Sequence, residues 1–210
     1  MKLDAARQEA AHCRDCPLWK NATQTVFGEG HEHAKAMFVG EQPGDQEDLA
    51  GLPFVGPAGK LLNRALADAG IDRTGTYVTN AVKHFKYEPR GKRRIHKKPS
   101  DFEISACHQW IERELTIVQP RLIVTLGATA ARSIFGRATP IEKNRGRIIK
   151  ATHGKLPQPA DILVTVHPSF LLRVPLQDKE AAYRRFVKDL KLIGPYASGR
   201  RRAPFAATTG

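Results

Sequence analysis

Four short apolar runs punctuate the chain: KAMFVG ending at Gly40, TYVTN ending at Asn80, RLIVTLG ending at Gly127 and DILVTV ending at Val166. Their length and continuous hydrophobicity predict buried strands. Between them apolar positions recur at helical spacing, in PAGKLLNRALADAG, DFEISACHQWIERELTIV and ATAARSIF, and KEAAYRRFVKDLKLI closes the pattern. Strands alternating with helices imply an α/β fold of three layers (αβα), with a central, mostly parallel four-stranded sheet covered on both faces. A further short strand is expected at GRIIKA, and MKLDAARQEAAHC reads as a polar helix rather than a secretory signal. No Gly/Ser-rich linker or internal repeat divides the chain, so residues 1–195 read as one domain; 196–210, ending GRRRAPFAATTG, lack an apolar period and read as a basic, mobile tail.

Parallel α/β sheets bind ligands outside the carboxyl ends of their strands, which directs attention to the residues just past each apolar run. The first exits into Glu41-Gln42-Pro43-Gly44-Asp45, the second ends on Asn80, the third opens GATA, and the fourth exits into His167-Pro168-Ser169. Singly these are ordinary loop chemistry: a turn-capping amide, a helix-capping carboxylate, an imidazole bonded to backbone. Together at one sheet edge they gather a carboxylate pair, an amide and an imidazole, and that convergence marks a candidate site.

Composition narrows the partner. The 210 residues are 41% hydrophobic, and no apolar run approaches the length of a membrane span, so a soluble cytoplasmic protein is expected, without a membrane partner. Lys and Arg number 34 against 21 Asp and Glu, a net charge of +13 that favours a polyanion, with nucleic acid the leading candidate. The 3 cysteines cannot all pair as disulfides, and a reducing compartment leaves them free for metal or cluster ligation. Cys13 and Cys16 have a metal-type CxxC spacing that also suits a redox pair or a zinc half-site, and Cys107 supplies a third sulfur. KRRIHKKPS, Lys92 to Ser100, sets His96 among five cationic side chains. A solvated basic loop is the plain reading, but phosphate binding alone does not call for a histidine.

The separated motifs GEQPGDQEDLAGLPFVGPAGKLL, YVTNAVKH and VTVHPSFLLR, in this order over about residues 10 to 192, resemble the uracil-DNA glycosylase superfamily, nearest its iron–sulfur, family 4-like branch. Two departures point within that branch. Gln42 stands where typical members have a small residue, and KRRIH looks like the signature of the UdgX-type subgroup, whose members become covalently bound to the DNA from which they remove uracil.

The resemblance implies excision of uracil from DNA, single strands included, by a monomer. Breaking an N-glycosidic bond requires donors where the departing base gains charge and an electron-rich group near the oxocarbenium-like sugar. By motif, Asn80 looks like the amide that reads the uracil edge, His167 like the donor to the uracil carbonyl, and Phe54 like the aromatic under the extruded base, with core packing its alternative. Glu41 and Asp45 fall where the family keeps polar groups near the sugar. In HPSFLLR the DNA side falls to Pro168 and Ser169 at the backbone, Phe170 or Leu171 as wedge and Arg173 on phosphate. Lys92, Arg93 and Lys97 are expected on phosphates, while Arg94 either seats the histidine or binds phosphate too. His96 is expected to be the nucleophile that captures the sugar, with Gln42 displacing or restraining the water that would otherwise attack. A 4Fe-4S cluster is expected on Cys13, Cys16, Cys107 and His84, the last standing where the family has its fourth cysteine; His12 and His108 compete for that place, and zinc suits the same donor set. A multiple-turnover hydrolytic glycosylase and a non-catalytic uracil or abasic-site binding module are the alternative readings.

Overall fold

The computed structural model describes residues 2–150 and 156–197. Helix α1 (Leu3–Ala11) buries a stripe of Leu3, Ala6 and Ala10 at helical spacing. A two-residue strand β1 (Glu29–Gly30) precedes β2 (Ala36–Gly40), whose residues are all buried. Helices α2 (Asp45–Ala50) and α3 (Pro57–Asp68) follow, the latter opened by a proline where no backbone donor is needed, and then strand β3 (Tyr77–Asn80). The basic segment folds as an antiparallel ribbon of β4 (Tyr87–Arg90) and β5 (Arg93–His96). Helix α4 (Asp101–Val118) starts at a reciprocal cap, in which the Glu103 N–H donates to Ser100 Oγ at 3.3 Å and the Ser100 N–H to Glu103 Oε2 at 2.6 Å. The remaining elements are β6 (Leu122–Leu126), α5 (Ala128–Phe135), α6 (Ile141–Asn144), β7 (Ile148–Lys150), β8 (Asp161–Thr165), α7 (Pro168–Arg173), α8 (Leu176–Lys191) and α9 (Gly194–Ala197).

The predicted parallel core is present as β3-β2-β6-β8, but among the described residues the sheet has six strands, because β1 and β7 pair antiparallel on its two edges. Alternation along each strand divides the core. Met37, Val39, Ile123, Ile162 and Val164 face α1, α4 and α5, while Phe38, Leu122, Val124 and Leu163 face α3 and α8. The chain leaves β2 for β3 on one side and later returns to β6 on the other. A switch point therefore lies between β2 and β6, where an open α/β sheet presents its ligand crevice.

Two expectations are corrected. The basic run is a strand pair rather than a loop, turning at Gly91 with φ 57° and setting Tyr87 opposite His96. Pro89 reads locally as a turn signal, yet it sits within β4, a position open to proline in a two-stranded ribbon. Of the residues expected in the tail, Tyr196, whose hydroxyl donates to Asp161, and Ala197 belong to α9, while residues 198–210 lie outside the described part. No helix among the described residues is long and apolar enough to cross a membrane.

A buried charge pair joins the sheet to α4. Lys83 Nζ, with no exposed surface, donates to Glu114 Oε2 at 2.7 Å, to Thr79 Oγ1 at 2.5 Å and to the carbonyl of Asn80 at 2.9 Å. Glu114 also accepts from the Gly28 N–H, the Tyr77 hydroxyl and the Thr79 hydroxyl. Such a pair stands only because nearly every lone pair and proton is matched. Lys83→Met, which strands the carboxylate, is expected to cost about 3–5 kcal/mol of unfolding free energy. Urea denaturation checks this, and Lys83→Met combined with Glu114→Leu should recover part of the loss.

Candidate active site

At the carboxyl ends of β2 and β3 and the start of α7 lies a cavity of about 330 Å³ whose walls include Phe54, Asn80, His167, His96, Asp45 and Gln42. Strand register brings Gly40 level with Asn80. A Cβ on Gly40 would stand 2.3 Å from Asn80 Oδ1 and 2.7 Å from the Phe54 ring, so the bare glycine is what lets the amide and the ring close on one another. Phe54 holds a left-handed backbone at φ 59°, costly for an aromatic residue. Gly59 makes this turn possible, since a Cβ there would lie 1.7 Å from the Phe54 carbonyl oxygen. Phe54 and Asn80 are both buried, and the Phe54 ring centroid lies 6.2 Å from that of His167.

His167 caps α7. Its Nδ1 accepts the Ser169 N–H at 3.2 Å and lies 2.8 Å from Ser169 Oγ, so in the neutral ring the proton resides on Nε2. Burial pushes the imidazole pKa down to about 4, assisted by the neighbouring His96 ring and the Arg173 guanidinium. Ser169 thus serves the histidine. Arg173 is exposed at the end of α7. Of the two wedge candidates, Leu171 is 1% exposed and packs in the core, whereas Phe170 is exposed; Leu172, not singled out from sequence, is also exposed and lines the cavity. Leu171 is therefore unavailable to DNA, because the residue after Phe170 on this short helix turns inward.

Across the cavity mouth, Glu41 is held from two sides. Thr129 Oγ1, at the start of α5, donates to Glu41 Oε2 at 2.5 Å, and His96 Nε2 lies 3.3 Å from Glu41 Oε1. This links the two strand ends that flank the switch point. Thr129 was not singled out from sequence, although it stands in the GATA segment that opens beyond the third strand.

The ribbon carrying His96 is fixed twice. Gln42, 6% exposed, donates from Nε2 to the carbonyls of Lys86 and Lys97 at 3.1 and 3.0 Å, and its Oε1 accepts the Lys86 N–H at 3.1 Å. Arg94 donates to Asp45 Oδ1 and Asp48 Oδ2, each at 2.5 Å, and lies over the Phe85 and Tyr87 rings. Arg94 thus faces two carboxylates of α2 rather than a phosphate, and Asp45 meets the cavity with its charge already paired. Asp48, fully buried and also accepting the Thr23 N–H, is a partner that sequence reasoning missed. Lys92 and Arg93 stand exposed at the ribbon's turn, while Lys97 pairs with Glu88 across the ribbon at 2.5 Å.

The three cysteines are free thiols, with Cys16 and Cys107 buried. Burial raises both thiols, Cys107 to about 12, and the neighbouring sulfurs add to each rise, which places all three in one neighbourhood. Two N–H groups point at sulfur: Lys83 N to Cys107 Sγ and Trp110 Nε1 to Cys13 Sγ, both at 3.2 Å. His84 shares the walls of a cavity of about 160 Å³ with His12 and Cys13, and its Nε2 is 2.9 Å from Thr25 Oγ1, which leaves Nδ1 as the nitrogen without that contact. His108 is turned along its own helix toward Glu112 at 3.4 Å. No three His, Cys, Asp or Glu side chains among the described residues are arranged to hold a single metal ion. The donor set suits a larger group, since clustered thiols with N–H groups aimed at sulfur are what an iron–sulfur cluster uses.

Residues 27–191 match the Uracil DNA glycosylase superfamily, and the chain belongs to that family. Its relatives include proteins named Type-4 uracil-DNA glycosylase. That of Thermotoga maritima is 37% identical over 89% of this chain and 95% of the relative, and that of Archaeoglobus fulgidus 36% identical over 91% and 92%. That of Sulfurisphaera tokodaii is 39% identical over 69% of this chain, a match spanning 65% of the relative's length.

The low pKa of His167 sets a stability profile. Between its ordinary value of 6.5 and the folded value of about 4, the unfolded chain binds the proton and the folded chain does not, so this contribution to stability is lost as pH falls through that window. His167→Asn should therefore lose less melting temperature than the wild type between pH 7 and 4. Equal losses would mean that the ring takes its proton in place.

Proposed function

We propose that the protein excises uracil from DNA by cleaving the N-glycosidic bond, and that His96 then captures the sugar. One observation carries this reading: a cavity that combines an amide, an aromatic ring and a neutral imidazole donor has, at its mouth, a second histidine held on a carboxylate. A base extruded from the stack would lie against Phe54, with the Asn80 amide pairing its imide edge and refusing the amino group of cytosine. As the C1′–N1 bond breaks, its electron pair goes to uracil, and His167 Nε2–H donates to the carbonyl where the charge accumulates. The Ser169 amide and hydroxyl on Nδ1 keep that proton on the right nitrogen.

The sugar left behind is electron-poor at C1′, and the Glu41 carboxylate stabilises it. Arginine and lysine remain protonated and have no pair to give, so among the basic side chains of the ribbon His96 is the one able to attack. The ring nitrogen's lone pair forms the bond to C1′, and the resulting imidazolium is balanced by Glu41, which Thr129 orients. Gln42 and Arg94 serve by seating the ribbon. Lys92, Arg93 and Arg173 meet phosphates while Lys97 stays on Glu88, with Phe170 or Leu172 entering the vacated stack. Glu41 would also suit activation of water, the course of a hydrolytic glycosylase with multiple turnover.

In the same reading Cys13, Cys16 and Cys107, with His84 through Nδ1, hold a 4Fe-4S cluster that ties the N-terminal segment to α4. Its role is structural, since breaking a glycosidic bond transfers no electrons.

Mixing the protein with a uracil-containing oligonucleotide should give a shifted band on a denaturing gel. His96→Ser should abolish the band yet still release uracil, a small side chain admitting water. A persistent band would assign the bond to another residue, no band from the wild type would assign hydrolysis, and no free uracil would leave only a binding module. Protein purified without oxygen should contain about four iron and four sulfide per chain. Cys107→Ala should lose both, and stoichiometric zinc without iron would overturn the cluster assignment.

A further inference from the structure

A second cavity, of about 320 Å³, lies beside the first and is lined by Lys98, Ile104, Thr129, Arg132, Ala138 and Pro140 among others. Nothing in the excision chemistry uses it, yet two residues join it to that chemistry. Thr129, which holds Glu41, stands on its wall. Lys98 lies two positions beyond His96, at most about 7 Å along the chain and just past the end of β5. His96 walls the first cavity and Lys98 the second, while Lys97 between them pairs with Glu88.

The chemistry of this cavity is that of a nucleotide slot. Ile104, Ala138 and Pro140 offer apolar surface for a base, and Arg132, bridged to Asp101 at 2.8 Å, stands on the wall as a polar group for a base edge. Lys98 has no acidic partner within salt-bridge distance among the described residues, which leaves its charge for the phosphate between this slot and the uracil cavity.

We infer that this second cavity holds the nucleotide next to uracil on the same DNA strand, packing its base regardless of sequence. The inference rests on the uracil reading of the first cavity. A single slot accommodates one neighbour, so the contribution must come from the 5′ side or the 3′ side and not from both.

The test uses the full chain and fluorescence anisotropy on single-stranded oligonucleotides carrying 2′-fluorinated deoxyuridine, whose glycosidic bond resists cleavage. In two further oligonucleotides a three-carbon spacer, which keeps the phosphates and drops the base, replaces the 5′ or the 3′ neighbour. One spacer should weaken binding about fivefold or more and the other should leave it unchanged. Ala138→Trp, at an exposed loop position where a large side chain does not disturb the core, should fill the slot and erase the difference between the oligonucleotides. Equal effects of the two spacers, or a difference that survives Ala138→Trp, would overturn the inference. A thymine control separates the two readings: loss of preference for uracil over thymine overturns both, whereas retained preference with indifferent neighbours overturns the slot alone.

Discussion

Everything at the sheet edge depends on a charge with nowhere to go. Lys83 lies fully buried, and the Glu114 carboxylate, the Thr79 hydroxyl and the Asn80 carbonyl make that tolerable, with the Phe27 ring beneath the ammonium at 5.4 Å. The pair therefore dictates where β3 ends and how α4 lies against it, because a shift of either would expose an unmatched charge to a medium that cannot solvate it. The same residue turns its backbone N–H to Cys107 Sγ and is followed by His84. Five consecutive residues, Asn80 to His84, thus join the amide in the cavity wall to the sulfur-rich neighbourhood.

Positive charge is distributed more narrowly than a net +13 suggests. Arg94 is neutralised by Asp45 and Asp48, Lys97 by Glu88, and Arg145, nearly buried, by Asp189 at 2.8 Å. In the ribbon, the charge left for a polyanion is concentrated at the turn, on Arg90, Lys92 and Arg93. The histidine among these cations is set apart by its partner, for it faces Glu41 while its neighbours face solvent or α2.

The parallel core and the convergence of Glu41, Asn80 and His167 were legible because both follow from short-range pattern: apolar runs mark strands, and the residue after each run must lie at one edge. Of the edge strands, GRIIKA marked β7, but nothing marked β1. β1 has two residues and neither is buried, so no hydrophobic signal attends it. The ribbon was missed because its strands carry charge and proline where a half-buried strand would alternate, and its stability comes from the Gln42 and Arg94 contacts, which join positions more than 40 residues apart. Thr129 and Asp48 were hidden for a related reason. A hydroxyl or carboxylate advertises its partner only in space. The wedge assignment failed at Leu171 because a helix of six residues has too little periodicity to reveal which leucine turns inward.

Gln42 grips the ribbon entirely through main-chain atoms, two carbonyls and one N–H at its base. Such a grip is blind to the side chains beyond it. The ribbon behaves as a cassette: its outward residues can be exchanged by mutation while the socket that receives it is unaltered, so the element that carries His96 is free to diversify on a scaffold that need not change with it.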